Sequence, residues 1–273
     1  MCYDVSYQLK KLERYARLRG IEEEEIEETL SDLKKKIKDP TPVFFHLSGF
    51  QHEPLPVYTN DSPYSLQFYN WGLVPQWANS TEKANKIRTG TLNARCETLF
   101  EKASFKNAIR KNRCLIMIDG FFEHYHLKGK TFPFYISHAD DSPMMLAGIY
   151  EKSVVEGIEQ KTVSIVTTKA NALMSKIHNN PKLDEPRMPV ILHKEFYNLW
   201  LFGEVIDEEN NEIDCIFEPY PDDLLKAHTV SKLRDGRVPV NNEDATQEFT
   251  YPELPLGVQS IPMDNNQGQI SLF

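Results

Sequence analysis

The residue best placed for covalent chemistry is Cys2. Cytosolic processing removes an initiator methionine when the next side chain is small, which would leave thiol and α-amine on adjacent carbons. With reference pKa values of about 8.5 for the thiol and about 7.7 to 8.0 for the amine, both are partly nucleophilic at neutral pH. An aldehyde meeting that pair forms an imine and then closes a five-membered thiazolidine ring. On position alone, an ordinary small residue is the plainer reading. Glu123 follows the apolar run at 115–118, where a half-buried carboxyl with a raised pKa would move protons; a surface carboxylate is the alternative. Asn93 and Arg95 stand two apart, so in an extended segment they share a side and offer an amide and a planar guanidinium to one site. A surface ion pair is the plainer use of such an arginine. Trp71 and Trp77 read as core unless exposed, in which case each stacks on an unpaired base.

These residues need a scaffold, and its pattern changes after Pro40. Before it, from residue 7 to 38, apolar positions recur at three and four and break near Gly20, which predicts two amphipathic helices. The acidic start and basic end of the second match its macrodipole and read as a solvated face. After it, short segments rich in β-branched and aromatic residues at 43–47, 56–59, 66–73, 113–122, 132–137, 144–150 and 163–168 predict strands. Helical patterns are expected at 101–111, 170–177 and 194–202. The expected fold is one α+β domain over 1–240, a curled, mostly antiparallel sheet or barrel-like core with peripheral helices. Residues 241–273 read as an extended tail.

Composition narrows the class. The 273 residues are 40% hydrophobic, enough for a core, and no run approaches the length of a membrane span. The opening residues lack the order of a secretory signal, so a cytoplasmic protein is expected. A net charge of −9 argues against indiscriminate nucleic-acid binding while leaving room for a local basic groove. Cys2, Cys96, Cys114 and Cys215 form no CxxC pair and read as reduced thiols; neither a metal site nor a cofactor is expected. Dinucleotide and P-loop glycine motifs are absent.

Four segments occur in order: Trp71-Gly-Leu-Val-Pro-Gln-Trp77, Leu92-Asn-Ala-Arg-Cys-Glu-Thr98, Cys114-Leu-Ile-Met-Ile-Asp-Gly-Phe-Phe-Glu123 and Arg187-Met-Pro-Val-Ile-Leu192. Together with Met1-Cys2 they resemble the SRAP (SOS response-associated peptidase) family over roughly residues 1–240. The resemblance implies a single α+β domain that cross-links through its processed cysteine to abasic sites in single-stranded DNA. It implies catalytic roles for Cys2, Asn93 and Glu123, and DNA contacts from Arg95, Trp71, Trp77 and Arg187. The family histidine usually stands almost directly before Arg-Met-Pro, where this chain has Glu185-Pro186. Ile177-His178-Asn179 supplies the pattern a few residues earlier, so His178 is preferred and His228 is held in reserve. The family's usual Cys-Gly-Arg start is Cys2-Tyr3-Asp4 here; an acid at position 4 would repel phosphate, leaving compensation to Lys86, Arg88, Arg113 or Arg237.

At the other end, Gln269-Ile270-Ser271-Leu272-Phe273 is similar to the peptide by which bacterial proteins dock on the replicative sliding clamp, with Gln269 setting register and Ile270, Leu272 and Phe273 as anchors. A strand or core contact is the alternative. Three functions follow for comparison: covalent capture of abasic sites in the DNA damage response, a cysteine peptidase or amidase acting on itself or on peptides, and a non-covalent binder of single-stranded or modified-base DNA.

Overall fold

The computed structural model describes residues 2–8, 31, 43–236 and 238–261. In chain order the elements are β1 (Asp4–Gln8), β2 (Val43–Ser48), β3 (Pro54–Thr59), β4 (Ser62–Trp71), α1 (Thr81–Arg88), β5 (Asn93–Arg95), α2 (Ala108–Lys111), β6 (Arg113–Ile118), β7 (Gly120–Leu127) and β8 (Lys130–His138). There follow β9 (Met144–Val155), β10 (Ile158–Lys169), α3 (Ala172–Ile177), β11 (Arg187–Pro189), α4 (Tyr197–Phe202), β12 (Leu225–Thr229), β13 (Arg234–Asp235), β14 (Val238–Pro239), α5 (Leu256–Gln259) and β15 (Ser260–Ile261). One antiparallel sheet runs β15-β12-β8-β7-β1-β2. The other runs β10-β4-β3-β6-β9, and β9 pairs back onto β10, closing a five-stranded barrel in which the β10–β4 pairing is parallel. The fold is therefore α+β, with a barrel core and peripheral helices.

The run at 113–122, predicted as one strand, is two. β6 reads Arg-Cys-Leu-Ile-Met-Ile and is buried at every position, as a strand in the barrel wall that also packs on β1 must be. At Asp119 the chain leaves the barrel for the other sheet: its N–H donates to the Ser6 carbonyl at 2.8 Å, and its Oδ2 accepts the Gln8 N–H at 2.9 Å. Gly120 follows because a Cβ there would stand 2.5 Å from the Ile136 carbonyl oxygen. This corner lays β7 beside β1, with Asp4 opposite Phe122. One hydrophobic cluster spans both sheets, from Val5 and Phe121 to Ile116, Ile149 and Ile165.

Other expectations are corrected. Helix α1 was not foreseen; Ser80 caps it, accepting the Lys83 N–H at 3.3 Å, with Glu82 in the first turn and Lys86 and Arg88 in the last. Of 101–111 only the last four residues are helical. Tyr7 lies in β1, its hydroxyl donating to the Pro54 carbonyl at 2.6 Å, while the two predicted helices beyond it fall largely outside the described residues. Residues 241–261 are not an extended tail: Ala245, Tyr251 and Leu254 are buried and β15 pairs with β12. Sparse apolar residues hid that packing, because each fills a separate gap over the sheet instead of repeating with a helix or strand period. The clamp-like residues Gln269, Ile270, Leu272 and Phe273 lie outside the described residues. Among the described residues no helix is long and apolar enough to cross a membrane.

Candidate active site

Cys2, only 1% exposed, leads into β1. Its Sγ points at the Asp4 carbonyl, 3.8 Å away. Its own carbonyl accepts the Asn93 Nδ2 at 2.7 Å, so β5, held in register on β10, fixes where the nucleophile's backbone sits. Asn93 is itself nearly buried, and its Oδ1 has no hydrogen-bond partner among the described residues. That acceptor beside residue 2 is spare. Arg95, two residues on, is exposed; burial first, and then the charge of Glu123, raise the Tyr3 hydroxyl above its ordinary range against the opposing pull of Arg95.

Glu123 stands on β7, which pairs directly with β1. Its Oε1 accepts the His124 N–H at 2.9 Å, and its Oε2 lies 3.4 Å from Nδ1 of His178. His178 closes α3, a short helix whose Asn171 cap accepts the Met174 N–H at 2.8 Å. The ring is gripped by β11: Nδ1 sits 3.0 Å from the Arg187 carbonyl oxygen and 3.3 Å from the Arg187 N–H. One proton on Nδ1 is thus shared between a carbonyl and the Glu123 carboxylate, and without it Nδ1 accepts from the same residue's amide. Burial holds His178 below the ordinary histidine range, against the opposing pull of Glu123. Burial first, and then the charge of Glu123, push the Cys2 thiol well above the ordinary range. Burial therefore favours the neutral thiol and the neutral imidazole, and the Glu123 carboxyl stands against the imidazole.

The structure brings together Cys2, Asn93, Glu123 and His178. Glu185, the other occupant considered for the histidine's place, lies at the surface beside Lys169 and Arg187. Trp71 has no face to offer a base: it is fully buried, and its indole N–H donates to the Leu92 carbonyl at 2.8 Å. Its partner Trp77 is 43% exposed, with Lys83 over the ring. Arg187 is buried to 2% and committed to Glu97, through Nη1 at 2.9 Å and Nη2 at 2.8 Å, and to the Thr167 carbonyl. Its expected contact with DNA is replaced by a strut that holds β11, and with it the His178 ring. His228 sits on β12, separated from β1 by β8 and β7, with Nε2 3.0 Å from the Thr246 carbonyl oxygen.

Asp4 does not face a ligand. It is 4% exposed, and its Oδ1 lies 2.9 Å from His46 Nε2 and 2.6 Å from Arg234 Nη2. Of the compensating cations expected, Arg113 is spent on the carbonyls of Ile109, Trp200 and Gly203, and Arg237 lies outside the described residues. Sequence reasoning missed Arg234, His46 and Phe50, an exposed ring stacked on Tyr3 at 5.3 Å. No local pattern announces them, because each meets the start of the chain across 40 or more residues.

A cysteine backed by a carboxylate–imidazole pair, at the seam between a closed mixed barrel and an antiparallel sheet, is a site built for nucleophilic chemistry with proton transfer. The sequence model of the SOS response associated peptidase (SRAP) family matches residues 13–234, and the chain belongs to that family. It is 38% identical over 174 residues to the abasic site processing protein YoqW of Bacillus subtilis, covering 63% of this chain and 71% of that protein. It is 29% identical to the abasic site processing protein HMCES of Mus musculus, over 73% of this chain and 60% of that one. A solved structure of a Bacteroides thetaiotaomicron protein superposes with a TM-score of 0.75 at 29% identity, covering 91% of this chain and all of that one.

Proposed function

We propose that this protein processes abasic sites in DNA by capturing them covalently, in single strands, through Cys2 after removal of Met1. The observation that carries the reading is the bond from Asn93 Nδ2 to the Cys2 carbonyl, which fixes residue 2 beside the strand that bears Glu123. The relatives' names supply the substrate class. An abasic deoxyribose in its open form presents an aldehyde at C1′. The freed Cys2 nitrogen attacks that carbon, the hydroxyl of the carbinolamine takes a proton and leaves as water, and an imine results. Sγ then adds to the imine carbon, its proton passes to the site, and the nitrogen gains one, closing the thiazolidine. Because the thiol is held neutral, the amine is the first nucleophile and the thiol the second. Glu123 and His178 are the proton carriers for both steps. The unpartnered Asn93 Oδ1 suits a sugar hydroxyl or the amine itself.

Arg95, exposed beside Tyr3, and the exposed faces of Trp77 and Phe50 supply guanidinium and stacking contacts to the flanking strand. The peptide Gln269-Ile270-Ser271-Leu272-Phe273 is assigned to the replicative sliding clamp, which would deliver the protein to gaps opened during replication. The test is incubation with matched oligonucleotides, one abasic and one intact, followed by a denaturing gel. A retained band with the abasic strand alone, lost in Cys2→Ala, is the expected result. No band with either strand overturns it, and Cys2-dependent hydrolysis of a peptide substrate alongside that result favours the peptidase reading. Salt-sensitive binding that Cys2→Ala leaves intact, without any retained band, favours the non-covalent one.

A further inference from the structure

We propose that Arg234 grips a backbone phosphate of the bound strand, and that the buried carboxylate of Asp4 is the residue that positions it. This inference rests on the nucleic-acid reading above. Asp4 and Cys2 lie two apart, with the Cys2 Sγ directed at the Asp4 carbonyl oxygen, so whatever binds the Asp4 side chain is anchored to the nucleophile's own strand. Arg234 Nη2 meets Asp4 Oδ1 at 2.6 Å and Ser48 Oγ at 3.1 Å. Ser48 stands opposite Asp4 in the β1–β2 pairing, so the two acceptors form one cradle. His46 fills the carboxylate's other side from Nε2 and is itself pinned through Nδ1 to the Val240 carbonyl at 3.0 Å.

The guanidinium is therefore held by one nitrogen, Nη2. Its Nε and Nη1 meet no partner among the described residues, and its side chain is 31% exposed while the side chain of Asp4 is 6% exposed. With both contacts carried by Nη2, the Nε–H and the Nη1 hydrogens remain as separate donors, each able to give one hydrogen bond to a phosphodiester oxygen. Asp4, which in the bare sequence reads as a repulsive charge beside the nucleophile, is neutralised within the cradle and turned into the support of a positive one.

The experiment measures binding of an unmodified single-stranded oligonucleotide by fluorescence anisotropy from about 50 mM to about 1 M salt. Wild type is compared with the double variant Asp4→Asn/Arg234→Gln, whose net charge is the same and which leaves no unpaired buried ion. One phosphate contact on a single strand contributes a slope of about 0.7 in log affinity against log salt. The double variant is expected to lose that much slope, which makes it about eightfold weaker relative to wild type at about 50 mM than at about 1 M salt. If it melts below the assay temperature, Arg234→Gln alone, which keeps Asp4 against His46, is read in the same way. A slope equal to wild type overturns the assignment and leaves the DNA reading standing. A wild-type protein without salt-dependent binding refutes both.

Discussion

Replacing Glu97 by Gln tests whether Arg187 is a strut or a ligand contact. The guanidinium is 2% exposed, and Glu97 meets it through both carboxylate oxygens at 2.9 and 2.8 Å, with only the Thr167 carbonyl and a longer approach from Glu185 besides. Removing one partner of a fully buried pair costs about 3–5 kcal/mol, because the survivor stays uncompensated. The Glu97 side chain is 41% exposed, so water and Glu185 recover part of that loss and the expected cost is about 2 kcal/mol. For a chain of this size that lowers the melting temperature by about 4–8 °C. Arg187→Met removes the charge and keeps an apolar stem, leaving Glu97 to solvent, so it costs less, about 1 kcal/mol for the stranded Thr167 carbonyl. The pairing holds the Glu97 carboxyl below its ordinary range. A depressed carboxylate contributes stability above the unfolded value of about 4.3 and loses it as pH falls through the folded value, so the gap between wild type and Glu97→Gln narrows as pH falls below about 4.3. Calorimetric melts at pH 7 and pH 3 read both effects. The reasoning is refuted if Arg187→Met is the more damaging substitution, or if it removes a phosphate's share of the salt dependence of DNA binding without lowering the melt.

Trp71→Ala empties a fully buried site and costs about 3–5 kcal/mol, whereas Trp77→Ala leaves the melt nearly unchanged and weakens binding of a single strand by about 1–3 kcal/mol; paired urea and anisotropy titrations separate them. Burial holds His52, His124, His138 and His178 below the ordinary histidine range. The unfolded chain then binds protons that the folded one refuses, so urea midpoints should fall as pH drops below about 6.5, and a flat profile from pH 7.5 to 5 would contradict the buried, neutral imidazoles. A chain ended at residue 240 gives up Tyr251, Leu254 and the β12–β15 pairing, and is expected to melt below one ended at 261; equal melts would return 241–261 to the status of a tail.

What the sequence disclosed is what period and order can carry. Apolar runs marked β2, β3, β6, β8, β9 and β10, but Glu123, read as following the apolar strand, stands four residues into β7 on the other sheet, because the chain turns at Asp119. The extended backbone expected at 93–95 is β5, in which Asn93 is buried and Arg95 exposed. Tryptophan segments could not be sorted by pattern, because Trp71 and Trp77 differ only in which neighbours the fold gives them. The partners of Asp4 and Arg187 come from 230 and 90 residues away, and a charge in a chain looks the same whether it will be solvated or paired. Glu185 and His178 were separable only by geometry: one ring within 3.4 Å of Glu123, one carboxylate at the surface.

Covalent capture by residue 2 is settled most directly by intact mass spectrometry of the product formed with a single-stranded abasic oligonucleotide. The expected species weighs the chain without Met1, plus the oligonucleotide, less one water, and peptide mapping places the added mass on Cys2. An adduct that persists in Cys2→Ala, or one found on a chain that still carries its first methionine, would contradict the account.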